Sequence, residues 1–233
     1  NVDENFSQGL SWYAQHFVEA QPNQLVGEKT PTYSYLSHIP ERIHEALPHV
    51  KLIWIFRNPV ERTYSNYWHA VRAGVEADRF EEALEREHAH IAKNVWLAYC
   101  KRSIYIEQVI RYLDYFDLEQ MHYLTFEQLK QDTEATLAEV FQFLDVDANQ
   151  VRHIKLAQKN VTAYIPRSWW LQRLQTQIRR GTIFYKLLQR FNRVEEFPPK
   201  MNETTRDQLK SYFYRYNQEL ASVTKLDLSV WDK

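Results

Sequence analysis

An α/β fold with a central parallel sheet flanked by helices, and with a helix-rich C-terminal half, is predicted by three observations. Lys51–Phe56 (K-L-I-W-I-F) is a short apolar run ending at a turn, as in a buried strand of a parallel sheet. Asn58-Pro59 marks that turn and places proline where a helix can begin. From Val60 the apolar residues Val60, Tyr64, Tyr67 and Val71 recur at helical intervals. Strand, turn and helix in this order make the βα unit of a doubly wound sheet.

The other elements follow in order. Ser7 is placed to cap a helix carrying Leu10, Tyr13, Ala14 and Phe17. Leu25–Pro31 reads as a short strand entering a turn, which sets Glu28 and Lys29 at a strand end. A helix follows with Pro40 near its first turn and Ile43, Ala46 and Leu47 inward, closed by Pro48. Gly74 is positioned to terminate the Val60 helix. Phe80–Trp96 and Ile104–Phe116 are helical in period. Met121–Leu124 is a strand, Phe126–Leu129 begins a turn, and Thr133–Leu144 is an amphipathic helix. Lys159–Ser168 reads as a loop. Trp169–Phe191 is a basic amphipathic helix interrupted near Gly181, with Trp170, Leu174, Ile178 and Leu187 as its apolar members. Asn202 or Thr204 caps a final helix, and Trp231 docks the C-terminal segment.

Composition bounds the function. The 233 residues are 44% hydrophobic and 15% aromatic, enough for a packed core. The formal net charge of -1 argues against a nucleic-acid partner, and no apolar run is long enough for an integral membrane segment. The single cysteine, Cys100, excludes an intrachain disulfide and favours a reducing, cytoplasmic location over a Golgi lumen. Neither a G-x-x-x-x-G-K-[ST] loop nor G-x-G-x-x-G, H-E-x-x-H or G-x-S-x-G occurs, and no zinc-ligand spacing is present. What remains is Arg57 at a strand end and Ser65 in the next helix. A guanidinium fork and a hydroxyl near a helix start make a phosphate site, since open α/β sheets bind ligands at this edge. The same pattern also fits an ordinary solvated βα unit.

R-N-P-V-E-R-T-Y-S-N-Y-W, residues 57–68, resembles the 3′-phosphate-binding motif of sulfotransferases that use 3′-phosphoadenosine 5′-phosphosulfate (PAPS). G-E-K-T-P-T-Y, 27–33, resembles the segment preceding it in heparan-sulfate-type and related bacterial members. Residues 105–129 are similar to the family's Tyr/Gln helix and following strand, F-Q-F-L-D-V (141–146) to its F-L-G-V element, and N-Q-E-L with D-L-S-V-W to its C-terminal end. The resemblance covers nearly the whole chain as one domain, 1–233. It implies a P-loop-NTPase-like three-layer fold and transfer of a sulfuryl group from PAPS to an acceptor hydroxyl or amine on a carbohydrate, lipid or carrier-bound small molecule.

Residue by residue, the resemblance implies that Arg57 and Ser65 hold the 3′-phosphate, and that Lys29 stands near the transferring sulfonate. Glu28 either pairs with Lys29 or orients the acceptor. The late loop completing the phosphate site is supplied by Lys159 and Asn160 or by Arg167 and Ser168. Tyr33, His69 and Arg72 are candidates for acceptor contact. The implied partners are a small-molecule, lipid or glycan acceptor and, for carrier-bound substrates, an acyl-carrier domain. A P-loop-type kinase and a non-catalytic interaction module using Arg173, Arg179 and Arg180 are the alternative functions.

One departure stands out. The K-x-G-T-[ST]-like loop that grips the 5′-phosphosulfate, and the K-E-x-H-[FY]-F segment that carries the catalytic carboxylate, are not found between Asn1 and Lys233. This reads as a domain without its N-terminal part, since backbone N–H groups at a helix start would otherwise hold that group. The expectation is weak binding of the desulfated product PAP by these 233 residues. Submicromolar affinity in a calorimetric titration would contradict it.

Overall fold

The computed structural model describes residues 5–91, 94–153 and 164–232, which form two compact units, Asn1–Val50 with Gln108–Gln120, and Lys51–Glu107 with Met121–Lys233. Among the described residues no helix is long and apolar enough to cross a membrane.

The smaller unit contains helices α1 (Gly9–Ala14) and α2 (Ile39–Ala46). Short 3-10 turns flank α1, and the residue before it is Gln8, so Ser7 is not the cap expected of it. Pro40 sits in the first turn of α2 as expected, but Leu47 is exposed and the inward residues are Ile39 and Pro40. Arg111 ties the unit together by donating to the carbonyls of Ser34 (3.2 Å) and Tyr35 (3.0 Å). Gln120 donates to that of Pro48 at 2.8 Å. The strand expected over Leu25–Pro31 is irregular backbone. Leu25 and Val26 stay exposed and join no ladder among the described residues, and a strand without a ladder neighbour has no partner for its N–H and C=O groups.

In the larger unit, strand β1 (Leu52–Phe56) leads into α3 (Pro59–Arg72) and α4 (Phe80–Ile91). Helix α5 (Tyr105–Leu113) carries the chain from this unit into the other. Strand β2 (Met121–Thr125) then lies parallel to β1, with Leu52 opposite Met121 and Phe56 opposite Thr125. The strand is covered on one side only: Trp54 and Phe56 are buried, whereas Ile53 and Ile55 are 40% and 56% exposed. The expectation of a fully buried β1 is therefore half met. Helix α6 (Phe126–Gln131) replaces the expected turn, because Thr125 and Gln128 form a reciprocal capping box. Helix α7 (Thr133–Phe143) follows, and Lys51 ties its end to β1 through the Phe143 carbonyl (2.7 Å) and Asp145 (2.5 Å). The helix from Phe80 is shorter than its period implies, and Trp96 lies in a separate 3-10 turn.

Strand β3 (Ile165–Pro166) opens the last section, followed by α8 (Trp169–Gln177), α9 (Ile183–Phe191), β4 (Arg193–Val194) and α10 (Glu203–Thr224). Gly181 has φ +85°, which breaks the helical pattern where expected, and the Thr182 side chain accepts from the Tyr185 N–H to restart it. Asn202 caps α10 and Trp231 is buried, both as read from the sequence. Buried carboxylates fix the loops: Glu76 accepts from two backbone N–H groups and the Tyr99 hydroxyl, and Asp78 pairs with Arg86 (2.7 Å) and Arg173 (2.8 Å).

Gly74 ends α3 in the left-handed region at φ +66°. A Cβ there would meet Tyr185 Oη at 2.5 Å and Gln175 Nε2 at 2.7 Å. The glycine is thus required both by its backbone and by the approach of α8 and α9. Gly74→Ala is expected to cost about 1–3 kcal/mol in urea denaturation; an unchanged midpoint would contradict this packing.

Candidate active site: a cationic row along α3

The register of the sheet sets the start of the site. Because Phe56 faces Thr125, the next residues, Arg57 and Phe126, leave the strand ends side by side. The Arg57 guanidinium lies 5.8 Å from the centre of the Phe126 ring. Among the described residues no carboxylate pairs with it. The cation therefore stands at the C-terminal edge of the sheet, stacked on an aromatic face and open to an anion.

The turn that presents Arg57 is held from three sides. The Tyr105 hydroxyl donates to the Arg57 carbonyl at 2.9 Å and receives the Arg57 N–H at 3.3 Å. The Asn58 N–H donates to Glu127 Oε1 (3.1 Å), while Trp231 Nε1 donates to Glu127 Oε2 (3.1 Å). Asn58 Nδ2 closes the loop on the Trp231 carbonyl at 3.3 Å, and its Oδ1 caps α3 by accepting from Val60 (3.0 Å) and Glu61 (3.4 Å). Burial pushes the Tyr105 hydroxyl above its ordinary pKa, so it remains a donor at neutral pH.

Helix α3 then orders the remaining groups. Val60, Thr63, Tyr67, Ala70 and Val71 are buried. Arg62, Ser65, His69 and Arg72 recur at three- and four-residue steps on the opposite side. Ser65 stands about 10 Å along the axis from the Asn58 cap. Its hydroxyl has no hydrogen-bond partner among the described residues. Arg62 donates to Ser103 Oγ (3.2 Å) and lies over the Tyr105 ring (5.3 Å). Glu61, the acidic residue beside this row, is neutralised by Arg206 at 2.6 Å. Burial lowers the Arg72 pKa from its ordinary value. His69 is exposed, with its ring 6.1 Å from that of Trp96. The result is one face carrying Arg62, Ser65, His69 and Arg72 behind Arg57, whose chemistry is anion binding.

The other expected site residues fall elsewhere. Arg167 and Ser168 are tied to Asn192, whose carbonyl accepts from the Arg167 N–H (2.7 Å) and whose side chain accepts from the Ser168 N–H (2.8 Å). No contact joins either residue to Arg57 or Ser65 among the described residues. Lys159 and Asn160 lie outside the described residues. Glu28, Lys29 and Tyr33 belong to the smaller unit. There Glu28 lies beside the phenols of Tyr13 and Tyr33: burial first and the Glu28 charge second raise both, Tyr13 to about 12. Lys29 is exposed, and no Glu28–Lys29 ion pair occurs among the described residues. Burial and then Glu87 push the Cys100 thiol well up, which disfavours its thiolate.

Sequence reasoning missed Arg62, Tyr105 and Glu127 as parts of this site. Arg62 was visible as the second arginine of R-N-P-V-E-R, five residues after Arg57. Glu127 and Tyr105 carry no local signal, since their roles come from the sheet register and from Trp231, a hundred residues later.

Similarity to known proteins agrees with this arrangement. Residues 1–220 match the sulfotransferase domain family. Heparan sulfate glucosamine 3-O-sulfotransferase 5 of Mus musculus is 25% identical over 95% of this chain and 61% of its own length. Heparan sulfate glucosamine 3-O-sulfotransferase 6 of Homo sapiens is 29% identical over 61% of this chain and 41% of its own length. The chain thus spans about three fifths or less of these curated relatives. A crystal structure of a sulfotransferase from Alicyclobacillus acidocaldarius covers 99% of this chain, and 78% of its own, with a TM-score of 0.71 at 24% identity, which supports the α/β fold read from the sequence.

Glu127→Ala would leave the Asn58 N–H and Trp231 Nε1 without their acceptor. The expected cost is about 1–3 kcal/mol in chemical denaturation. A variant as stable as the parent would show that the clamp does not hold the turn.

Proposed function

The chain belongs to the sulfotransferase domain family, and on that premise we propose that it takes part in transferring a sulfuryl group from PAPS to a hydroxyl or amine acceptor. The observation that carries this reading is that, among the described residues, the Arg57 guanidinium before α3 has no carboxylate partner and the Ser65 hydroxyl within α3 has no hydrogen-bond partner. These residues fit a 3′-phosphate: a planar fork of donors, a hydroxyl donor, and no competing carboxylate among the described residues. PAPS, when bound, supplies the activated sulfuryl group.

Arg57 and Ser65 hold and orient the nucleotide, and Arg62 adds positive potential beside them. Lys29 offsets the charge that develops on the bridging oxygen as the sulfur–oxygen bond breaks, the role implied for this residue by the G-E-K-T-P-T-Y resemblance. Glu28, with Tyr13 and Tyr33, would orient the acceptor. His69 and Arg72 extend the same face of α3 and suit an acceptor or carrier bearing negative charge. Arg167 and Ser168, or Lys159 and Asn160, remain the proposed late contribution to the phosphate site. The named relatives act on heparan sulfate glucosamine, so a glycan acceptor is the first to test, followed by lipid and carrier-bound substrates. A cytoplasmic location is proposed from the single-cysteine composition.

The test is donor choice. In a protein that joins this domain to a 5′-phosphosulfate loop and its carboxylate-bearing segment, incubation with sulfur-labelled PAPS or γ-labelled ATP and a panel of acceptors is expected to label acceptor from PAPS alone. Arg57→Ala should lower kcat/KM for PAPS by about 10- to 100-fold, the loss of one charge-assisted hydrogen-bonding group. Transfer from ATP, or an unchanged constant in the variant, would contradict the proposal.

A further inference from the structure

The residues from Tyr164 to Val194 include seven Lys or Arg and no Asp or Glu, in a chain whose net charge is only -1. Three of these cations are engaged: Arg173 with Asp78 (2.8 Å), Arg193 with Glu195 (3.7 Å), and Arg180 with the Ala73 carbonyl (2.7 Å). Arg179, Lys186 and Arg190 have no carboxylate partner among the described residues.

Helix α9 sits in this cationic section with its apolar side outward. Tyr185 is buried, and its hydroxyl donates to the Ala73 carbonyl at 3.2 Å, so that side of the helix faces the protein. On the other side Ile183, Phe184, Leu187 and Phe191 are 79%, 64%, 61% and 71% exposed. At 100° per residue these four span a single sector, with Lys186 and Arg190 along one edge of it. Of the apolar members that the sequence pattern assigns to this amphipathic stretch, Leu187 and Trp170 are exposed, Trp170 by 72%. An outward row of large apolar side chains along one helix, edged by cations without a carboxylate partner among the described residues, exceeds what isolated surface residues explain.

We infer that α9 docks this protein on an anionic lipid surface, with Ile183, Phe184, Leu187 and Phe191 entering the headgroup boundary and Lys186 and Arg190 meeting lipid phosphates. Charge decides the occupant. A second copy meeting this face across a two-fold axis would bring the same cationic section against itself. A bilayer offers both what the row lacks, an apolar phase and fixed negative charge, and a helix with cations beside its apolar side has the form that partitions there. An acidic protein would satisfy the cations, but the apolar row stands outward on the helix and is no slot for a protein side chain.

The test reads binding alone, so it stands apart from sulfuryl transfer. The 233-residue chain is mixed with phosphatidylcholine vesicles, with or without about one third phosphatidylglycerol, and floated on a density gradient. The expected result is partition to the anionic vesicles, at least about tenfold weaker to neutral ones and weakened by salt as the charges are screened. Leu187→Ser with Phe191→Ser, and separately Lys186→Glu with Arg190→Glu, should each lower partition about tenfold or more while leaving the melting temperature unchanged, since all four side chains are exposed. Equal recovery with neutral vesicles, no recovery with anionic ones, or charge-reversed protein that floats like the parent would overturn the proposal. So would light scattering that shows a dimer dissolved by Leu187→Ser, which would give the face to a second copy. Capture by an acidic carrier protein without vesicle binding would give it to that partner.

Discussion

The proposed phosphate site depends on the turn between β1 and α3 being rigid. Asn58 is its centre. The side chain of this one residue caps α3 and reaches the Trp231 carbonyl, while its N–H is held by Glu127. Glu127 in turn receives the Trp231 indole, so one carboxylate joins the strand end, the start of α6 and the C-terminal segment. Such bonds to a charged group are stronger than neutral ones, and leaving a donor unmet in a partly buried place costs more than the bond contributes. An arginine on a loose loop would lose both backbone and side-chain entropy on binding; on this turn the backbone part of that cost is already met before any ligand arrives.

The βα unit was legible in the sequence because its signals are local. An apolar run, an Asn-Pro turn and a 3.6-residue period sit within some twenty residues, and α3 begins at Pro59 as expected. Gly74 and Gly181 were legible for the same reason: a positive φ is a demand on a single residue. Other features were not. The capping box of Thr125 and Gln128 makes a helix where the sequence pattern reads as a turn. Leu25–Pro31 has strand composition, yet a strand exists only where a neighbour pairs with it. Periodicity also finds a stripe without saying which way it faces. In α9 the apolar row points to water and Tyr185 points in, the reverse of the usual reading.

The site was legible in part. Arg57 and Ser65 come from a motif of twelve residues; among the described residues Arg57 has no carboxylate partner and stands at the sheet edge on the Phe126 ring, and the Ser65 hydroxyl, within α3, has no hydrogen-bond partner. The residues that hold Arg57 in place, Tyr105, Glu127 and Trp231, come from α5, the start of α6 and the C-terminal segment, and meet only in the folded chain. Charge shows the same division. A net charge of -1 conceals two cationic regions, one along α3 and one from Tyr164 to Val194, because the acidic residues lie elsewhere or, like Glu61, are already paired. Bulk charge does not point to an anionic partner, whereas local charge argues for a bound phosphate and an anionic surface.

The central claim, that Arg57 reads a phosphate on the 3′ side of the nucleotide, is tested most directly by a ligand–mutant cycle in calorimetry. PAP and adenosine 5′-monophosphate, which differ by that phosphate, are titrated against the parent and Arg57→Ala. The account predicts that Arg57→Ala weakens PAP by about 10- to 100-fold and leaves the monophosphate unchanged, with a coupling well above the error of the cycle. Equal losses for both ligands, or no loss for PAP, would contradict it.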